Sequence, residues 1–132
     1  MPGDILSFNC PCGFQKKEIY VGVNDAHVHF TIFLCLQCGK MVIAQKSPKG
    51  HFDKTCRKCG MELTAMTDPG TWQPASLQQR FPDSEPWMVF NEIVELEHEE
   101  AEKLIPLADE IRILCPKCKK YTLKLEESGC WD

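Results

Sequence analysis

Eight of the nine cysteines in this chain stand in four close pairs. Three pairs are separated by two residues, in the stretches CLQC, CRKC and CPKC, and the fourth pair, CPC, is separated by one. Thiolates bind metal ions, and a two-residue gap lets one tight turn present two sulfurs to the same ion. The predicted metal ligands are therefore Cys10, Cys12, Cys35, Cys38, Cys56, Cys59, Cys115 and Cys118.

The unusual pair lies in FNCPCGF, residues 8–14. Residues i and i+2 of an extended chain project to the same side, so Cys10 and Cys12 can also offer two sulfurs to one ion. Glycine follows this pair, as it follows CLQC and CRKC, and glycine adopts positive φ without a steric penalty. In the CPKC pair Lys119 stands where a glycine is expected.

The stretch CLQCG and CRKCG, with 17 residues between the two pairs, resembles the zinc-ribbon, or rubredoxin-like, family. The resemblance covers residues 30–66 and extends less specifically to residues 5–23 and 110–125. It implies cysteine pairs on neighbouring hairpins that close around a structural Zn²⁺. Eight ligands then make two Zn(Cys)₄ sites, which means two zinc ions per chain, and Cys130 is left over as a bystander thiol.

The sequence leaves open which pairs share an ion. Nested pairing joins the second pair to the third and the first pair to the fourth, whereas sequential pairing joins the first two and the last two. Loop-closure entropy changes slowly with loop length and does not decide between them. The regular spacing of the middle pairs favours nesting. A hairpin over residues 14–34, with its turn at Asn24 and Asp25, would instead set Cys12 almost opposite Cys35.

Other chemistry of the cysteines is less well supported by the sequence. Iron also fits four thiolates, so a rubredoxin-type redox centre is the first alternative to zinc. A thioredoxin-like pair would need a βαβ context, and these pairs stand between short predicted strands. Because all four pairs can close on one another, no coordination position stays open for a catalytic water. HEEAE at residues 98–102 lacks the second histidine of a zincin helix, and we expect no enzyme.

The composition indicates a cytoplasmic protein whose fold is stabilised by metal. A chain of 132 residues that is 43% hydrophobic makes one ordinary domain or two small ones with little core. Its cysteine density is below that of secreted disulfide scaffolds, and MPGDILSF has no signal-peptide pattern. No apolar run approaches the roughly 18 residues that span a bilayer, so no membrane association is expected.

Short strands are predicted on both sides of the cysteine pairs, from the alternation of apolar residues in stretches such as QKKEIYVGV and YTLKL. The predicted fold is a small metal-stabilised α+β structure: two zinc-ribbon units of short antiparallel β-hairpins with one inserted helix. We divide the chain into four parts. Residues 1–66 form an N-terminal zinc-knuckle region that includes the ribbon at 30–66, and residues 67–86 form a proline-rich irregular connection. Residues 87–106 form an acidic helix, and residues 107–132 form a C-terminal zinc-knuckle hairpin.

The acidic helix is expected to begin near Ser84, which can cap it, and to end at Pro106. Its apolar stripe would consist of Trp87, Phe90, Val94, Ala101 and Leu104. Glu97 and His98 interrupt that stripe. This leaves an alternative, which is a strand through WMVF followed by a shorter helix from about His98.

Two histidines, His27 and His29, could chelate a metal together with Asp25, because alternate residues of a strand share a face. The same strand carries a well-formed apolar stripe on its other face, from Ala26 to Leu34. The histidines, together with Thr31, are therefore predicted to face solvent.

Charge is distributed unevenly along the chain. Residues 1–66 hold eight Lys and Arg against five Asp and Glu, which gives +3, and residues 67–132 hold seven against fourteen, which gives −7. We expect an adaptor that binds another protein through its exposed hairpin faces and the acidic segment at 91–102. Nucleic-acid binding is the alternative, because basic residues cluster in the ribbon at Lys40, Lys46, Lys49, Lys54, Arg57 and Lys58. A pI near 5.6 and the lack of aromatic residues among these lysines argue against that alternative.

Overall fold

The structure, a computed structural model, describes residues 3–23 and 28–131. Eight strands within these ranges form one antiparallel sheet in the spatial order β4-β3-β2-β1-β8-β7-β6, and β5 pairs with β3 beside this path. The strands are β1 (Gly3–Asn9), β2 (Gln15–Val23), β3 (His29–Cys35), β4 (Lys40–Gln45), β5 (Thr64–Ala65), β6 (Trp72–Gln73), β7 (Arg112–Leu114) and β8 (Tyr121–Trp131). The helices are α1 (Ala75–Arg80), α2 (Val89–Val94) and α3 (His98–Ala108), and a 3₁₀ turn (Pro86–Met88) precedes α2.

β1 and β8, the first and last strands in the sequence, are neighbours in the sheet. β1 and β8 pair antiparallel from Gly3 opposite Trp131 to Asn9 opposite Lys124. Because the strands are antiparallel, the end of β1 lies beside the start of β8. Nested pairing of the cysteines predicts this contact between the first and last hairpins, and the structure confirms it.

Two hydrophobic clusters stabilise the sheet. The larger one covers the face on which Leu6, Phe8, Ile32 and Leu123 lie, and Trp72 is buried in it. The smaller one contains Phe33, Cys35, Cys56 and Leu63. Each cluster includes cysteines, so both cysteine groups are continuous with apolar packing.

β3 takes part in both clusters, which corrects the prediction that one of its faces is open to solvent. Ile32 lies in the larger cluster and Phe33 in the smaller one. Thr31 is buried, and its hydroxyl donates a hydrogen bond to the Glu85 carboxylate. His29 is half-buried, and its ring packs edge-on against Phe52 with 5.2 Å between centroids. His27, Asp25 and the turn predicted at Asn24 lie outside the described residues.

The acidic segment forms two helices instead of the single predicted helix. The chain leaves helical geometry after Val94 and re-enters it at His98, so the 3.6-residue phase is not continuous across the segment. Val89 and Ile93 are buried, whereas Phe90 and Val94 of the predicted stripe are exposed. The alternative start near His98 is confirmed, but WMVF forms the 3₁₀ turn and the start of α2, not a strand.

Two further details of this region differ from the predictions. Ser84 does not cap a helix, because its hydroxyl donates to the Glu92 carboxylate. Pro106 lies inside α3, which continues to Ala108, so the proline does not end the helix. The connection at residues 67–86 is also more regular than predicted, since it contains β6 and α1. No helix in the described ranges is both long and apolar enough to cross a membrane.

Candidate metal centres

Each cysteine pair lies in a short hairpin loop whose backbone hydrogen bonds are alike. In two of the loops, the N–H of the first cysteine donates to the carbonyl five residues later: Cys56 to Met61 and Cys115 to Lys120, both at 2.9 Å. In the loop between β3 and β4, Cys35 stands opposite Lys40, which is the same five-residue separation. The two-residue gap therefore gives one repeated loop geometry.

The CPC loop is a version of this loop that is shorter by one residue. The N–H of Cys10 donates to the carbonyl of Phe14 at 2.9 Å, four residues later, and Gly13 N–H donates to the Cys10 carbonyl at 3.0 Å. The corresponding bond from Gly39 to Cys35 spans four residues instead of three. One residue fewer between the cysteines thus removes one residue from the loop and keeps its closing bonds.

The residue after each second cysteine has positive φ. Gly39 has φ of 67° and Gly60 has φ of 76°, and Lys119 has φ of 60° at the equivalent position. The N–H of Lys119 donates to the Cys115 carbonyl at 2.8 Å, as the glycines do in their loops. The lysine that departs from the sequence pattern therefore adopts the glycine conformation.

One group of four sulfurs, called here the terminal cluster, consists of Cys10, Cys12, Cys115 and Cys118. The loop between β1 and β2 carries the first two cysteines, and the loop between β7 and β8 carries the others. The Sγ atoms of Cys10 and Cys118 are 3.7 Å apart, and those of Cys12 and Cys115 are also 3.7 Å apart. The pairing of β1 with β8 brings these two loops together.

The second group, the central cluster, consists of Cys35, Cys38, Cys56 and Cys59. The loop between β3 and β4 carries the first two cysteines, and the loop closed by the bridge between Thr55 and Glu62 carries the others. The Sγ distance is 3.5 Å from Cys35 to Cys59 and 3.9 Å from Cys38 to Cys56. The pairing of β5 with β3 holds the second loop against the first.

The sulfur positions fit a tetrahedral metal ion. Four thiolates bound to Zn²⁺ at about 2.3 Å would have sulfurs about 3.8 Å apart. The measured distances run from 3.5 to 3.9 Å, and all four ligand atoms of each cluster lie within 4.8 Å of one another. All nine cysteines are free thiols. Each cluster can therefore hold one metal ion, and the geometry alone does not distinguish zinc from iron.

Each cluster contains at least one thiol whose pKa is lowered, and the terminal cluster contains two, Cys10 and Cys118. In the terminal cluster, a hydrogen bond with the Thr122 hydroxyl lowers the pKa of Cys118 to about 6. In the central cluster, the backbone N–H groups of Cys59 and Lys58 lower the pKa of Cys56 to about 6. Burial raises the pKa of the Cys115 thiol to about 12. These lowered pKa values favour the thiolate, which is the form that binds metal.

The structure groups the cysteines in the nested arrangement, with Cys12 in the terminal cluster and Cys35 in the central one. Cys130 belongs to neither group, because it lies at the far end of β8, opposite Asp4. The two loops that begin at Cys35 and Cys115 are neighbours: a Cβ built on Gly39 would lie 3.5 Å from the Cα of Lys117. Sequence reasoning missed Thr122 and its contacts with two ligand sulfurs, since a threonine four residues after the second cysteine of a pair has no distinctive pattern.

The basic residues named for nucleic-acid contact lie in the same part of the chain as the ligands of the central cluster, between residues 40 and 58. Lys46, Lys49, Lys54, Arg57 and Lys58 are exposed, and Lys40 is half-buried. Arg57 lies 3.8 Å from the Asp53 carboxylate, in an exposed pair that adds little stability. Lys40 begins β4 and the other five residues lie between β4 and β5, and Lys40 and Arg57 line one cleft.

Comparisons with protein-family models, with curated proteins and with solved structures find no significant match to this chain. The assignment of the two clusters as candidate metal centres depends on their geometry and on the chemistry of the thiolate donors.

Proposed function

We propose that this chain is a non-catalytic adaptor, stabilised by two Zn²⁺ ions, that binds another protein through its helical segment, residues 86–108. Closed Cys₄ coordination supports the non-catalytic part of this proposal. Four sulfurs complete the tetrahedron around an ion, so no position remains for a water molecule or substrate. The metal then fixes hairpin loops in place and takes no part in a reaction.

Exposed apolar side chains on the helical segment carry the proposal. Met88 is 42% exposed, Phe90 46% and Val94 56%, and all three lie within seven residues of one another. Large apolar side chains grouped on a surface mark sites of interaction, whereas scattered ones need no explanation. The group therefore favours a protein partner.

A cavity of about 400 Å³ adjoins Phe90, one of these three side chains. Phe90 and Trp87 form its wall on the helical segment, and Leu6 and Leu125 line it from β1 and β8. A partner side chain in this cavity would contact the sheet and the helical segment together. Apolar anchors that enter such pockets contribute most of the energy in many interfaces.

Acidic residues follow the exposed apolar group in the sequence. Glu95, Glu97 and Glu99 are exposed on the segment. The cavity lining itself is mixed in charge, with Asp109 and Glu126 against Arg112 and Lys124. Complementary charge raises association rates and selects among partners. The partner surface is therefore expected to carry lysine or arginine around an apolar anchor.

The proposal is tested by affinity purification of the metal-loaded protein, followed by reconstitution with the purified partner. Wild type should form a stoichiometric complex, and Phe90→Ser combined with Val94→Ser should weaken it at least tenfold in calorimetry. Met61→Ser is the matched control, since Met61 is equally exposed, at 51%, but lies beside the central cluster. Equal binding by wild type and the double variant would refute the role of the helical segment.

The identity of the metal is tested separately by elemental analysis, for which the proposal predicts two zinc ions per chain. Binding free energy at such sites is also folding free energy, on the order of 10 kcal/mol per site. Removal of the metal should therefore abolish the sheet signal in circular dichroism. One zinc per chain, mostly iron, or a sheet that persists without metal would contradict the proposal.

Nucleic-acid binding by the basic residues at 40–58 is the second candidate function, and the exposure of their lysines favours it. A different role accounts for the same charges. One Zn²⁺ with four thiolates carries a net charge of 2 − 4 = −2, and Arg57 and Lys58 stand between two of the ligands. Cations at these positions offset the charge of the centre, so their presence does not require a phosphate partner.

A further inference from the structure

The outer edge of β4 offers a second interaction surface, separate from the helical segment. Within residues 3–23 and 28–131, β4 pairs with β3 alone and forms one end of the sheet. An edge strand presents unpaired N–H and C=O groups that can pair with another extended chain. The backbone N–H and C=O groups on the outer side of β4 therefore determine where such a chain could bind.

The register of the β3–β4 hairpin identifies the available groups. The N–H of Lys46 donates to the His29 carbonyl at 2.8 Å, so these two residues form a hydrogen-bonded pair. Bonded and non-bonded pairs alternate along an antiparallel ladder. By this alternation Val42 and Ala44 bond to β3, and Ile43 directs its N–H and C=O towards the free edge, as do Met41 and Gln45.

A cleft of about 470 Å³ runs beside this edge. Five of the six β4 residues line it on one side, and residues 53–57 contribute Asp53, Thr55 and Arg57 on the other. Ile43, whose backbone faces the edge, is 40% exposed. A cleft of this volume is in the range of protein ligand sites, and its long side is a strand with unused hydrogen-bonding groups.

Charge decides which chain fits the cleft. Lys40 and Arg57 line it, and Asp53 is the one acidic residue among the described lining residues. The exposed Lys46, Lys54 and Lys58 each stand next to a lining residue in the sequence. An extended partner segment would therefore be attracted if it were acidic and repelled if it were basic.

We propose that the edge of β4 binds an extended acidic segment of a partner protein, which adds an antiparallel or parallel strand to the sheet beside Ile43. Main-chain hydrogen bonds to Met41, Ile43 and Gln45 supply affinity in this mode, and the basic residues around the cleft supply selectivity. This site is independent of the proposed function at the helical segment, so either can fail without the other.

The test uses the full, zinc-loaded chain and a fluorescent seven-residue peptide of alternating glutamate and valine. Anisotropy should give a dissociation constant of roughly 10–100 µM, because one added strand buries less surface than a standard interface. The amide of Ile43 should become protected from hydrogen exchange when the peptide binds. A peptide of alternating lysine and valine should not bind.

Ile43→Pro removes the outward N–H and leaves the β3–β4 hydrogen bonds in place, since proline is tolerated on edge strands. It should weaken peptide binding at least tenfold, and Ile43→Thr, which keeps the N–H, should stay within about threefold of wild type. Zinc content and circular dichroism check that both variants fold. If Ile43→Pro does not fold, Lys40→Glu with Lys46→Glu tests the charge requirement and should also weaken binding at least tenfold.

Four outcomes would overturn the proposal. The first is no binding of the acidic peptide to wild type, and the second is equal binding of the lysine peptide. The third is tighter binding of a single-stranded oligonucleotide of equal charge, which would assign the cleft to nucleic acid. The fourth is a dimer of the chain alone that Ile43→Pro dissociates, which would assign the edge of β4 to a second copy.

Discussion

The hydroxyl oxygen of Thr122 lies 3.0 Å from the Sγ of Cys10 and 3.5 Å from the Sγ of Cys118. One hydroxyl thus contacts a ligand from each of the two loops of the terminal cluster. A hydroxyl donating to sulfur favours the thiolate, and such contacts orient metal ligands and tune their basicity. Thr122 is therefore a positioning residue for this cluster.

Replacing Thr122 with valine keeps the shape of the side chain and removes the hydroxyl. The pKa of Cys118 should rise, so the zinc of the terminal cluster should be lost at a higher pH on acidification. Affinity should fall about tenfold, measured by competition with a chromogenic chelator. Thr55→Val, near the central cluster, is the matched control. Identical zinc competition curves for Thr122→Val and wild type would show that the hydroxyl has no effect on the metal.

The positive φ of Lys119 predicts that replacing this residue with glycine stabilises the protein. Lys119→Gly removes the steric strain of a side chain in the left-handed region and should raise the free energy of unfolding by about 0.5–1 kcal/mol. Gly60→Ala is the converse test, because it adds a side chain at a residue with positive φ and should lower the free energy of unfolding. A Cβ at Gly60 would meet no atom within 4 Å, so its cost of about 1 kcal/mol would come from backbone strain alone.

Both variants are compared with wild type by urea unfolding in excess zinc. A destabilised Lys119→Gly variant would mean that the lysine side chain contributes more than its backbone strain costs. In that case the electrostatic attraction between this cation and the anionic centre would be the dominant effect at this position.

Glu85 predicts a pH dependence of stability. Burial raises the pKa of its carboxyl from 4.5 to about 7, against the smaller opposing effect of the hydrogen bond from Thr31. The folded-state pKa is above the unfolded one, so the contribution of Glu85 is complete below pH 4.5 and is lost as the pH rises through about 7. From about pH 6 to pH 8, wild type should lose on the order of 1 kcal/mol relative to Glu85→Gln.

The measurement is urea unfolding in excess zinc at several pH values in this window, which keeps the thiolates metal-bound. Glu97→Gln, on an exposed glutamate of the same segment, should follow the wild-type curve. Parallel curves for Glu85→Gln and wild type would mean that the Glu85 carboxyl is already ionised in the folded protein at pH 6.

We expect the protein not to bind DNA or RNA appreciably at about 150 mM salt, as measured by fluorescence anisotropy. Weak binding at low salt should decrease steeply as salt is added. Lys49→Glu with Lys54→Glu should reduce both the low-salt affinity and the salt dependence, because each lost phosphate contact lowers counterion release. A micromolar or tighter complex at 150 mM salt would reverse the ranking of the two candidate functions.

The sequence predicts the cysteine clusters better than the elements between them. The ligand pairs depend on short loops, whose geometry is set by residues within five positions, such as Cys115 and Lys120. The strands on either side of them follow the alternation of apolar residues, as at Ile19 and Val21, which are both buried. Local patterns of this kind are visible in the sequence.

The helical segment could not be predicted in the same way, because its buried face depends on a break in the helix. The buried residues are Val89 and Ile93, and no local signal separates them from the exposed Phe90 and Val94. The burial of Thr31 likewise depends on Glu85, which is 54 residues away in the sequence. Contacts at this separation require the tertiary fold.

The grouping of the cysteines into a terminal and a central cluster is tested most directly by cadmium substitution. Through-bond correlation from each ¹¹³Cd to cysteine β-protons reports which residues share an ion. We expect two cadmium signals, one correlated with Cys10, Cys12, Cys115 and Cys118 and the other with Cys35, Cys38, Cys56 and Cys59. A single signal, or one cadmium correlated with both Cys12 and Cys35, would contradict this grouping.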